Sequence, residues 1–250
     1  MSELDKFTVK IRRQEARGSK PYWESFELSR RPGMNVIIAL MDIQKNPVTA
    51  GGKKTAPVAW ECSCLEEVCG ACAMLVNGRP RQACSALVDS LSMPLTLEPL
   101  TKFPVVRDLV VDRASIFENF KAVRAWIPVD LTYGIGPGPR MGQEEQEAAY
   151  PFSRCITCGC CIEACPQVNG HSPFMGAAVM NQAALMNMHP TGRMNMAERL
   201  GVVRGKGGLS GCGNAQNCAR VCPKDIPLVQ SIARLNRDAI ADGLKRWFEK

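Results

Sequence analysis

No stretch of this sequence approaches the ~20 consecutive apolar residues that a membrane-spanning helix needs, so membrane association is expected only through a partner or a surface. The first residues, MSELDKFTVKIRR, carry acidic side chains and no apolar core, and they predict no export signal. Lysine and arginine outnumber the acids by seven, but they are dispersed. No basic block interleaves with the four Trp and three Tyr, so no nucleic-acid partner is expected. The surplus suits a solvated surface, with an acidic partner or an anionic membrane surface as the sharper alternative. Histidine is nearly missing: His171 and His189 alone. Neither has ligand-type partners at suitable spacing, and both read as capping or surface residues. His189 precedes Pro190 and is expected to end a helix.

Cysteine is abundant by contrast. Thirteen fall in three clumps, and the odd number leaves a thiol over in any closed disulfide framework. Without export, thiols stay reduced, and clustered cysteines read as metal ligands.

The chain up to about residue 104 has β character. Phe7–Arg13 and Trp23–Ser29 alternate as a hairpin's strands do. Asn35 is placed to cap a helix through Val36, Ile37, Leu40, Met41 and Ile43. The cysteines at 62–72 lie in a loop. Ala73–Val76 and Gln82–Ala83 then flank Asn77–Gly78, a strong hairpin-turn pair, and Leu95–Leu97 closes the sheet. Strand, strand, helix, cysteine loop and strand is the order of a small β-grasp ferredoxin domain. Residues 105–250 read as a helical domain, giving an α+β chain overall. Helices are expected at Ala114–Ile127, Pro173–Asn187, Met194–Val203 and Ile226–Trp247. The Gly/Pro stretch Tyr133–Gly142, followed by the polar run Gln143–Glu147, reads as a surface loop.

In the first clump Cys64, Cys69 and Cys72 form C-x4-C-x2-C, and Cys84 follows after eleven residues. This is the plant-type [2Fe–2S] pattern. Two irons sharing two sulfides need four convergent thiolates; a tight loop supplies three and a following strand the fourth. Gly70 lets the backbone pass close, where N–H groups can bond sulfur. Four thiolates also suit zinc, but zinc sites show two paired knuckles rather than three in one loop. Cys62 is left over and reads as a packed side chain.

In the second clump Cys155, Cys158, Cys161 and Cys165 form C-x2-C-x2-C-x3-C-P, the bacterial ferredoxin run whose fourth cysteine ligates the other cluster. Cys160 falls outside the pattern. The third clump has Cys212, Cys218 and Cys222 before Pro223, with Ala215 where a second cysteine would stand. Alanine cannot ligate iron. The expectation is a [4Fe–4S] on Cys155, Cys158, Cys161 and Cys222, and a [3Fe–4S] on Cys165, Cys212 and Cys218. A second [4Fe–4S] with one non-cysteine ligand is the alternative; zinc or redox disulfides are a weaker one.

Six methionines fall between residues 175 and 196. They suit adaptable packing around the clusters. The alternative is a soft apolar docking surface made by Phe174, Met175 and Met180.

The whole chain resembles the iron–sulfur subunit of succinate dehydrogenase and fumarate reductase. LEEVCGACAMLVNGRPRQAC and the stretch from HPTGRMNMAERL through GCGNAQNCARVCPK are similar to bacterial, menaquinone-linked members. The resemblance implies a flavoprotein partner with covalent FAD that oxidises succinate to fumarate. It implies electron passage through [2Fe–2S], [4Fe–4S] and [3Fe–4S] in turn. It also implies a membrane-anchor subunit of cytochrome b type, a quinone beside the [3Fe–4S], and a place on the cytoplasmic face of the cell membrane. No residue of this chain would then act as acid, base or nucleophile on succinate. Ubiquinone-linked members carry aromatic residues after the first Cys-Pro and a His after the cysteine matching Cys212. Here Gln167, Val168, Asn169 and Gly170 follow Pro166, and Gly213 follows Cys212, so no such quinone site is carried over. Fumarate reduction by the same architecture, a thiol-linked fumarate reductase subunit, a soluble multi-cluster ferredoxin and a zinc-stabilised module are the competing functions.

Overall fold

The computed structural model describes residues 5–127 and 139–248. They fall into two compact units: Met1–Arg113 with Cys158–Ala164, and Ala114–Thr157 with Cys165–Lys250.

The first unit is built on alternation. Strand β1 (Lys6–Arg13) points Phe7, Val9, Ile11 and Arg13 inward. It pairs antiparallel with β2 (Tyr22–Ser29) in the register Lys6↔Ser29 to Arg13↔Tyr22. Helix α1 (Val36–Lys45) starts where Asn35 Oδ1 accepts from Ile38 N at 2.9 Å, the expected cap. Its Val36, Ile37, Leu40 and Ile43 bury against the sheet. Strands β3 (Ala73–Val76) and β4 (Arg79–Gln82) join through Asn77 and Gly78, both at positive φ as a two-residue hairpin turn requires. The second strand of this hairpin starts three residues before the expected Gln82. Pro80 lies within it, tolerated because β4 is an edge strand. Strand β5 (Leu95–Glu98) runs parallel to β1 and antiparallel to β3, which completes the order β2-β1-β5-β3-β4.

A buried ion pair ties this sheet to the end of the unit. Arg13 Nε donates to Asp108 Oδ1 at 2.8 Å, and both side chains are nearly solvent-free. Arg13 Nη1 reaches Glu24 at 2.6 Å, and Nη2 donates to Ala56 O at 3.1 Å. Asp108 also accepts from the N–H groups of Gln14 and Ala59. Both charges are thus enclosed by hydrogen-bond partners, the condition under which a buried pair is tolerated.

The second unit is helical. Helix α2 (Ala114–Ala122) stops short of the expected Ile127, because the chain turns out at Arg124 with φ of 47°. Helix α3 (Gln143–Ser153) occupies a run in which no helix was expected. It buries only Ala149 and Phe152, so its apolar periodicity is faint, while Glu144 and Glu145 suit the positive end of the helix dipole. The expected loop at Tyr133–Gly142 lies partly outside the described residues; 139–142 are irregular. Helix α4 (Cys160–Glu163) belongs to the first unit. Helix α5 (Ala177–Met188) is buried nearly all round and ends at His189, as expected. There His189 Nδ1 accepts from the N–H groups of Thr191 and Gly192. Helices α6 (Met196–Arg204), α7 (Asn217–Arg220) and α8 (Leu228–Phe248) complete the unit. On α8, Leu228, Ser231, Ile232, Leu235 and Ala239 form the buried stripe.

Arg199 is fully buried, and oxygens of neutral groups surround its guanidinium. It donates to Val123 O, Arg124 O, Gly192 O and Asn187 Oδ1 at 2.7–3.2 Å. It therefore satisfies carbonyls left open where α2 ends. Burial pulls its pKa down to about 10, and the positive Arg124 pulls the same way. None of the helices is long and apolar enough, among the described residues, to cross a membrane.

Asp108→Ala leaves Arg13 buried without its main counter-charge. It is expected to cost about 3 kcal/mol, read as an earlier thermal transition, with Asp108→Asn recovering part of the loss.

Candidate iron–sulfur centres

The first cysteine loop is arranged around one sulfur. Cys64 Sγ accepts backbone N–H bonds from Glu66, Val68 and Cys69 at 3.2–3.4 Å. The loop can double back this tightly because Leu65, Glu67 and Gly70 all have positive φ. Bonds from Glu66 and Val68 lower the Cys64 pKa to about 7, which favours the thiolate form. Ala71 N donates to Cys69 Sγ at 3.5 Å. Cys72 and Cys84 are buried against the sheet, and burial pushes Cys72 up to about 12. A bare thiolate is costly there; a cationic iron would offset that cost. Ser85 Oγ donates to Glu67 Oε1 at 2.5 Å and pins the loop to the chain after Cys84. Cys62 is exposed beside the loop rather than packed.

Arg113 clamps the same region. It donates to Gly70 O at 2.8 Å, Ala71 O at 3.0 Å and Cys158 O at 3.4 Å, and pairs with Glu61 at 3.1 Å. The segment Cys158–Ala164 is held further by Glu163, which accepts from Thr101 Oγ1 at 2.5 Å and Lys102 N at 2.9 Å. Gly159 sits at φ of 88°, a backbone that side chains rarely adopt, and a Cβ there would press against the Phe103 ring at 3.0 Å. Within this segment Cys158 and Cys161 are buried. Cys158 is lowered to about 7, first by a hydrogen bond with the Cys160 thiol and further by the Cys160 N–H and the positive Arg113. Arg113 lies outside every cysteine motif and Glu163 fills a non-ligand position of one, so nothing in the cysteine spacing marks either.

In the second unit Cys165, Cys212 and Cys218 line one hollow, with Ala215 in its wall. It encloses about 450 Å³ free of protein atoms, part of it open to solvent. The loop between Cys212 and Cys218 curls because Asn214 and Gln216 have positive φ. Burial raises the Cys218 pKa, and the neighbouring Cys165 and Cys212 raise it further. Three thiols, an alanine in the wall and space between them fit an iron–sulfur group held by three ligands. Cys155 and Cys222 lie in the same unit, half-buried. Among the described residues no three His, Cys, Asp or Glu side chains close on a single-ion site.

Phe174 and Met180 are buried, at 4% and 0% exposure. The docking surface suggested for Phe174, Met175 and Met180 is therefore not available; Phe174 packs against Gly211 instead.

Residues 8–118 match the family described as "2Fe-2S iron-sulfur cluster binding domain". Residues 151–226 match "4Fe-4S dicluster domain". The chain is 54% identical over 248 residues to the succinate dehydrogenase iron–sulfur subunit of Bacillus subtilis, covering 99% of this chain and 98% of that one. It is 30% identical to the fumarate reductase iron–sulfur subunit of Wolinella succinogenes, covering 89% and 92%. A chain of the Mycobacterium smegmatis Sdh1 complex in the apo form superposes with a TM-score of 0.77 at 26% identity, covering 96% and 98%.

Arg113→Met removes the clamp without changing a ligand. It is expected to cost about 2 kcal/mol of loop stability and to speed chelator-driven loss of the [2Fe–2S] absorbance several-fold.

Proposed function

This chain belongs to the family of succinate dehydrogenase and fumarate reductase iron–sulfur subunits, and we propose that it is the electron-transfer subunit of a succinate:quinone oxidoreductase. The observation that carries this is near-full-length identity of 54% to a succinate dehydrogenase subunit, against 30% to a fumarate reductase subunit. The higher value favours succinate oxidation as the working direction.

Succinate is oxidised on a partner flavoprotein that carries FAD. This chain accepts the electrons and delivers them to a quinone, menaquinone by the wording of its motifs, at the interface with a cytochrome b type anchor on the cytoplasmic face of the membrane. The bound clusters supply one-electron carriers in the order [2Fe–2S], [4Fe–4S], [3Fe–4S]. The chain's own residues hold them. Cys64, Cys69, Cys72 and Cys84 serve the first; Cys155, Cys158, Cys161 and Cys222 the second; Cys165, Cys212 and Cys218 the third. The hollow with Ala215 in its wall supports three ligands at the last site. Backbone N–H bonds to sulfur and burial of the thiols then tune the potentials.

The complex purified anaerobically is expected to hold about nine irons and ten inorganic sulfides per copy of this chain, the contents of one cluster of each type. Low-temperature EPR is expected to show a [3Fe–4S] signal when oxidised and a [2Fe–2S] signal on reduction, with a flavoprotein co-purifying. About ten irons and no oxidised-state signal, in a sample protected from cluster damage, would mean a second [4Fe–4S]. Ala215→Cys is expected to abolish the oxidised [3Fe–4S] signal and add about one iron.

A further inference from the structure

Gln82 stands in no ligand motif, yet its amide meets sulfur at both ends. Cys72 Sγ donates to Gln82 Oε1 at 3.4 Å, and Gln82 Nε2 donates to Cys160 Sγ at 3.7 Å. All three side chains are buried: Gln82 and Cys160 at 0% exposure, Cys72 at 3%. All three lie in the first unit. Strand β4 fixes Gln82 opposite Ala73, the residue after Cys72. Burying a primary amide is costly unless its donor and acceptor are both satisfied. An apolar side chain would fill the same space at less cost.

The geometry points to Gln82 as a residue that sets the potential of the [2Fe–2S] centre, donating from its amide to the Cys72 sulfur while Cys160 fixes the amide's orientation. This rests on the proposed role of Cys72 as a ligand of that centre. A sulfur bonded to iron carries no proton and can only accept hydrogen bonds. Oε1 facing it would oppose two negative atoms. Turning the amide over exchanges oxygen and nitrogen at almost no change in shape. Nε2–H then donates to Cys72 Sγ, and Oε1 accepts the thiol proton of Cys160. The Cys160 thiol, which otherwise bonds Cys158, turns its one proton to Oε1, and Cys158 keeps the bond from the Cys160 backbone N–H. The Cys72 sulfur thereby gains a donor, and Oε1 keeps one. A hydrogen bond to a ligand sulfur favours the more negative, reduced state and so raises the potential; in a dry interior the effect is strong. The relay also gives a role to the non-ligand Cys160, a thiol that keeps its proton inside a cysteine motif.

An EPR-monitored redox titration of the assembled complex tests this. Gln82→Met keeps the length and bulk but cannot donate. Its [2Fe–2S] reduced-to-oxidised ratio at fixed potential is expected to fall about tenfold, a midpoint lower by ~59 mV for a one-electron couple. The [3Fe–4S] midpoint should match the unmodified complex. Cys160→Ala, which leaves Gln82 and every ligand in place, should shift the [2Fe–2S] midpoint partway in the same direction. Cys160→Ser retains a donor and should hold the original value. An unchanged midpoint in Gln82→Met overturns the inference. So does loss of the cluster in Gln82→Met together with an unmoved midpoint in Cys160→Ala, since Gln82 would then be packing alone. If Gln82→Met loses the cluster but Cys160→Ala shifts and Cys160→Ser does not, the inference stands. A missing [2Fe–2S] signal in the unmodified complex would refute the ligand assignment instead, and is distinct from all of these.

Discussion

A thiolate needs its charge answered, and in the first unit the backbone answers it before any iron arrives. Three N–H groups aimed at the Cys64 sulfur demand a loop that folds back within five residues. That demand places residues at positive φ, and it leaves the loop with carbonyls pointing outward. Arg113 collects two of them, and Ser85 holds the far side through Glu67. The sheet and α1 then act as a floor. Their buried apolar faces keep Cys72 and Cys84 dry, and burial leaves the Cys72 thiol dependent on a cation for its charge.

The second unit meets the same demand differently. Its three thiols line an open hollow, and Cys218 there accepts backbone N–H bonds from Ala219 and from its own residue. The helices of this unit are ordered by a buried guanidinium that closes the end of α2. Both units thus use arginine to satisfy carbonyls that no helix or strand satisfies, once beside a cysteine loop and once inside a helix bundle.

Much of this was readable from the residues. Strict alternation in β1 and β2, the Asn35 cap and the Asn77–Gly78 turn each act locally, so the sequence carries them openly. Cysteine spacing is a local code as well, and the family matches over 8–118 and 151–226 agree with it. What stayed hidden depends on distant partners. Helix α3 buries only two residues, too few to print a period on its sequence. The methionine-rich run left packing and docking both open, because composition does not tell a helix buried all round from one that faces a partner. Arg113, Glu163 and Gln82 carry weight through neighbours dozens of residues away, and no single-chain pattern announces them.

The first unit is discontinuous: its last piece, Cys158–Ala164, is encoded after α2 and α3. A ribosome releases a chain from its N-terminus, so the sheet can be assembled while that piece is still untranslated. Until it emerges, Arg113 lacks Cys158 O, and Thr101 and Lys102 lack Glu163. The early half of the protein therefore waits for the later half to be made. Maturation of the two halves is interleaved in time, and a gene cut between residues 113 and 158 severs the ferredoxin-like half from part of itself.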